Sequence, residues 1–100
     1  MPALDEQPGE TVRRLMRAAG QATLATALAR DASGRPYASL VLVALDDDGS
    51  PILLLSDLAD HSRNLQADAR AALLFDGTAG LADPLTGPRA TVLGRVGAVA

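Results

Sequence analysis

The sequence predicts a mainly β domain of the α+β class: a small barrel or curled sheet, with one helix before the strands and another after the third. Three observations carry this. Five short runs rich in Val, Leu, Ala and Thr are separated by turn-forming residues. Hairpin signals, above all Asp48-Gly49, fall between neighbouring runs, so pairing is local. Two segments, starting near Glu10 and Asp57, have helical spacing instead.

The first helix is expected from Glu10 to Gly20. Val12, Leu15, Met16 and Ala19 fall on one face, acidic residues precede Arg13, Arg14 and Arg17, and Gly20 is a stop. Residues 1–9 hold two prolines and a glycine and read as a loose arm, leaving 10–100 as a single domain. Residues 22–28 form a first strand, and Asp31-Ala32-Ser33-Gly34 a turn. Pro36 to Leu45 is so continuously apolar that both its faces are expected to be covered. Asp46-Asp47-Asp48-Gly49 turns the chain into a return strand, Pro51 to Leu55, completing a three-stranded meander.

A second helix is expected over 57–67, capped by Ser56 or Asp57, with Leu58 and Leu65 facing the sheet. Ala71 to Phe75 reads as a buried strand, 76–89 as a loop, and Ala90 to Ala98 as a last strand. That strand has no stop signal, which leaves an open edge. The barrel is therefore expected to be incomplete, finished by further chain or by a partner.

Composition narrows the function classes. Hydrophobic residues make up 48% against 21% charged, which excludes general disorder. Only Tyr37 and Phe75 are aromatic and the net charge is −3, so neither base stacking nor phosphate-backbone binding is favoured. No nucleic-acid partner is expected. There is no cysteine and one histidine, so no metal site is expected from this chain. The start lacks a signal-peptide pattern, and the longest apolar run, Leu40 to Leu45, falls short of the roughly 20 residues that span a membrane. The sequence reads as a cytoplasmic protein with no membrane partner.

The densest polar cluster is Ser56-Asp57-Leu58-Ala59-Asp60-His61-Ser62-Arg63-Asn64, at a helix start directly after a strand. Free N–H groups there suit phosphate, with Ser62, His61 and Arg63 as added donors. Asp57 and Asp60 oppose this, and a lone histidine in a first turn can equally be a solvated or capping residue. Ser39 is the polar residue inside the long strand: either a small core residue bonded to backbone or a donor aimed at a ligand. Arg89 stands before the last strand, as a surface arginine or a ligand contact. Asp46-Asp47-Asp48 lacks the spacing of a calcium loop and reads as an acidic turn. The residues name no catalytic acid or base.

Four segments together resemble the pyridoxamine phosphate oxidase superfamily. Gly34 to Ala44 is similar to its flavin-contacting strand. Ser56 to Leu65 is similar to the Ser-x-Leu-Ala-x-His-Thr/Ser-x-Asn-Leu motif of its heme-utilisation branch. Asp68 to Phe75 and Asp83 to Arg95 resemble the strands that follow. The resemblance covers about Arg13 to Ala98 and implies the N-terminal portion of an FMN-binding split β-barrel, a homodimer with flavin sites at the interface, and an oxidoreductase of unknown substrate. It implies that Ser39 lies near the flavin's phosphate or ribityl arm and that Leu40, Val41 and Leu42 line the isoalloxazine. It further implies that Ser56, His61 and Ser62 hold the phosphate and that Arg89 approaches from the last strand. The oxidase proper has arginine where Ser39 stands and lysine where Ala44 stands, so the resemblance does not extend to pyridoxamine phosphate oxidation itself. The alternatives are a heme-binding or heme-utilisation protein and a non-catalytic flavin carrier.

Overall fold

The computed structural model describes residues 8–98. The arm expected over 1–9 lies outside them through residue 7, and Pro8 and Gly9 already belong to helix α1, Pro8–Ala18. The strands are β1 (Gln21–Ala27), β2 (Pro36–Leu45), β3 (Pro51–Leu54), β4 (Arg70–Asp76) and β5 (Arg89–Arg95), with α2 (Asp60–Ala67) between β3 and β4. They form one antiparallel sheet in the order β3-β2-β1-β4-β5. The meander β1-β2-β3 is as expected. β4 then returns across α2 to the free side of β1, so β3 and β5 end as the two edges of an unclosed half-barrel.

The hairpins follow from their turn residues. Asp31 accepts from the N–H and hydroxyl of Ser33, and Gly34 adopts φ 69°, where a side chain would be strained. Gly49 does the same after Asp48 at φ 86°.

Residues of one parity face inward. Ala22 and Leu24 of β1, Val41 and Val43 of β2, and Leu73 and Phe75 of β4 join Leu15 and Met16 of α1 and Leu65 of α2 in the core. Phe75 and Leu24 are fully buried at its centre. The other parity forms an outer face with nothing packed on it. Register places Leu42 opposite Leu54, Ala44 opposite Ile52, Leu40 opposite Thr23, Thr23 opposite Leu74, and Ala72 opposite Leu93. Leu40 is 67% and Leu42 58% exposed, and Ile52, Leu54, Leu74 and Leu93 are exposed with them. The expectation that β2 is covered on both faces is therefore corrected: both helices pack on one side only. Alternation was hidden because the outward residues are as apolar as the inward ones.

Three smaller expectations change too. α2 begins at Asp60, because residues 57–59 form a turn. Leu58 is 81% exposed, so Leu65 alone of the expected pair reaches the core. β5 ends at Arg95, and Val96 N–H turns to the Ala69 carbonyl at 2.9 Å. Among the described residues, no helix is long and apolar enough to cross a membrane.

Candidate functional site

The chain leaves β3 at Leu54 and winds into α2 through a tight turn. The Ser56 carbonyl accepts from the Ala59 N–H at 3.1 Å and from the Ser62 hydroxyl at 2.5 Å. Ser62 has thereby spent its only proton on backbone. The Ser56 hydroxyl accepts from the Leu58 N–H at 3.3 Å. Ala59 is the N-cap of α2 and no side chain caps it, so neither Ser56 nor Asp57 plays that part. First-turn N–H groups, with their partial positive charge, are left without side-chain acceptors.

His61 points from this turn back to the sheet, where its Nδ1 lies 3.2 Å from Ser39 Oγ on β2. Its Nε2 is buried with no hydrogen-bond partner. Whichever nitrogen carries the proton, one ring atom goes unsatisfied, and buried unpaired polar atoms are uncommon and costly. This is an atom that a ligand group or a water could complete.

Two guanidiniums sit beside this turn. Arg30, on the β1–β2 connection, reaches Asp60 at 3.5 Å, and Arg63 reaches the same carboxylate oxygen at 4.0 Å. Both arginines are well exposed, so the pairs are weak, and with Asp57 in the same turn the two cations are balanced by two carboxylates.

The remaining residues singled out in the sequence lie elsewhere. Leu40 and Leu42 point to the outer face, while Val41 is part of the core. Arg89 opposes Asp76 at the far edge of the sheet, on the outer face. The structure thus joins Ser39 to His61 and Ser56 to Ser62, and sets Leu40, Leu42 and Arg89 on the opposite side of the sheet. The outer face has its own charged margins. Arg70 opposes Arg95 in register, and Arg70 also grips Asp68 at 2.7 Å. Hydrogen bonds from the Arg70 side chain and backbone N–H hold the Asp68 carboxyl at about 2, below its ordinary value of 3.8. Bonds from the Thr78 hydroxyl and N–H, with Arg89 adding its charge, lower Asp76 in the same way.

Two residues matter here to which the sequence alone assigns no role. Asn64, 1% exposed, accepts from the Ala29 N–H at 2.8 Å and donates to Thr26 Oγ1 at 3.0 Å. The signal was present: Thr26 falls on the inward parity of β1, and Asn64 adjoins Leu65 on the buried side of α2. Arg30 left no sequence signal, since only the fold carries the β1–β2 turn to the start of α2.

Comparisons with known proteins agree with this fold. The pyridoxamine 5'-phosphate oxidase family profile matches residues 9–100. A heme binding protein from Mycobacterium smegmatis superposes with a TM-score of 0.82 at 33% identity, over 93% of this chain and 37% of that one. HutZ, the heme storage protein of Vibrio cholerae, superposes with a TM-score of 0.69 at 22% identity, over 90% of this chain and 61% of that one, a likeness of fold. The non-canonical heme oxygenase HOZ of Arabidopsis thaliana chloroplasts is 37% identical over 68 residues, 68% of this chain and 21% of the relative. This chain thus spans less than two thirds of each of these relatives. It belongs to the pyridoxamine 5'-phosphate oxidase family and has the family's split-barrel fold, with the barrel incomplete.

Proposed function

We propose that this chain binds heme as a homodimer, the cofactor lying against the outer sheet face where a second copy meets it. The carrying observation is the contiguous aliphatic surface of Leu40, Leu42, Ile52, Leu54, Leu74 and Leu93. Exposed apolar surface of this extent marks a binding or association site. Heme is a flat apolar disc with two carboxylates, and Arg95 stands on the same face to pair with such a carboxylate, beside Arg70 and Arg89, which already face Asp68 and Asp76. The relatives from Mycobacterium smegmatis and Arabidopsis are both named for heme. Bound heme would supply iron redox and oxygen chemistry; these residues would enclose the disc and exclude water. His61 would not be among the residues that hold the heme, because it is turned to Ser39 by Nδ1 and has Nε2 buried.

A second reading is FMN binding, with electron transfer through the flavin. It is favoured by the uncapped start of α2, the buried unpaired His61 Nε2 and the exposed Arg30 and Arg63. Ser39, Ser56 and His61 would then surround the phosphate, and Ser62, its hydroxyl bonded to the Ser56 carbonyl, would brace the turn. Leu40 and Ser39 face opposite sides of β2, so one chain does not wrap a flavin, and the second copy would complete the site.

Hemin titration followed by absorbance, with a parallel FMN titration by fluorescence quenching, tests both readings. The expected result is a saturable Soret change whose band position is the same in His61→Ala. An unchanged hemin spectrum overturns the heme reading. Saturable FMN quenching, weakened by His61→Ala, would select the second.

A further inference from the structure

The polar residue that fixes the Ser39–His61 corner is itself outside it. We propose that Asn64 is the positioning residue of this corner, holding α2 on β1 at the one rotation and height that bring the His61 imidazole to Ser39. The inference rests on reading the corner as part of a cofactor site.

α2 has eight residues, too short to hold its place through its own backbone. Its buried residues are Ser62, Asn64 and Leu65. Leu65 is the single apolar side chain among them, and one apolar contact sets depth but neither rotation nor slide. Ser62 bonds to Ser56, which belongs to the turn leading into the helix and not to the sheet. Asn64 alone of the three bonds to the β1 end of the sheet, and it does so twice.

Its two partners are well placed for the task. Thr26 is buried on the inner parity of β1, two residues beyond Leu24, and Leu24 is the register partner of Ser39. Ala29 is just past the end of β1, where the Leu28 N–H bonds to Arg35 and closes the hairpin at 2.8 Å. One amide therefore grips both the strand beside Ser39 and the turn that sets the hairpin. His61 is three residues before Asn64, one turn away on the same helix face. Fixing the Asn64 amide fixes where the imidazole emerges.

Distances decide which contact holds which. The Asn64 bonds, 2.8 and 3.0 Å, are of ordinary strength; the one to Thr26 is buried and the one from the Ala29 N–H part-buried. The Ser39–His61 contact is 3.2 Å, part-buried, and accompanied by an unpaired ring nitrogen. That contact cannot anchor the helix; it follows from the anchoring. Removing the Asn64 amide would also leave the Ala29 N–H and the Thr26 hydroxyl without their partner, so α2 would shift to let water in.

His61 is the only histidine, so its imidazole nitrogens can be observed alone in long-range 1H–15N spectra of the untagged chain. Three variants are compared with wild type at one fixed pH: Asn64→Leu, Thr26→Val and Thr26→Ser. The expected result is that Asn64→Leu and Thr26→Val move the His61 signals toward those of a solvated imidazole, while Thr26→Ser, which keeps the hydroxyl, does not. FMN, used as a phosphate-bearing probe, should bind about tenfold more weakly to Asn64→Leu, the scale of one lost buried hydrogen bond. The same change made in His61→Ala should then cost almost nothing further. Wild-type His61 signals in both Asn64→Leu and Thr26→Val would overturn the proposal, and so would additive losses of affinity. If Asn64→Leu does not fold, the Thr26 pair decides. Absence of FMN binding by the wild-type chain would count against the flavin reading, leaving the imidazole spectra to decide the role of Asn64.

Discussion

Ser39 and His61, 22 residues apart in sequence, meet side chain to side chain at 3.2 Å across the junction of β2 and α2. Ser39→Ala should cost about 1 kcal/mol, because the imidazole then has no partner at either nitrogen. Urea unfolding of Ser39→Ala, His61→Ala and the double variant checks this. The double variant should lose less than the two single losses added together.

The outer face predicts a separable effect on association. Leu42→Asp should cost the fold about 1 kcal/mol, through the lost contact with Leu54 across the strands and the poor strand propensity of aspartate. It should shift the protein toward monomer in sedimentation velocity and weaken hemin binding together. Unchanged mass and unchanged hemin affinity would remove this face from the site.

Gly77 bears on how α1 packs at the end of β4. A Cβ there would stand 2.6 Å from Leu15 Cδ1 and 3.0 Å from the Pro88 carbonyl oxygen. Leu15 can move, but the Pro88 carbonyl is held by the Gly77 N–H at 2.9 Å. Gly77→Ala should destabilise by about 1–3 kcal/mol, as overpacking does, and lower the thermal midpoint.

Asp68 gives the pH dependence. Its carboxyl titrates near 2 in the folded chain against 3.8 ordinarily, mainly through the Arg70 side chain. Its small stabilising effect is present above about 3.8 and is lost as pH falls toward 2. In Arg70→Ala the Asp68 carboxyl 13C titration should move up toward 3.8. An unmoved titration would show that the ion pair does not form in solution.

The sequence by itself determined the succession of elements. Turn residues such as Gly34 and Gly49, the helical spacing of Leu15 and Met16, and the long apolar run of β2 are local features, and local conformational preference is written residue by residue. It also carried the family, because four motifs in order survive without knowledge of their contacts. Only the tertiary structure decided which side of each strand is covered. Leu40 and Val41 are equally apolar, and burial of one and exposure of the other depends on where α1 and α2 pack. Only it could join Ser39 to His61, Arg30 to Asp60, and Asn64 to Thr26 and Ala29. Those pairs are set by the return of β4 to β1 and the resulting seat of α2, and a hydrogen bond between distant residues leaves no spacing in the chain to read.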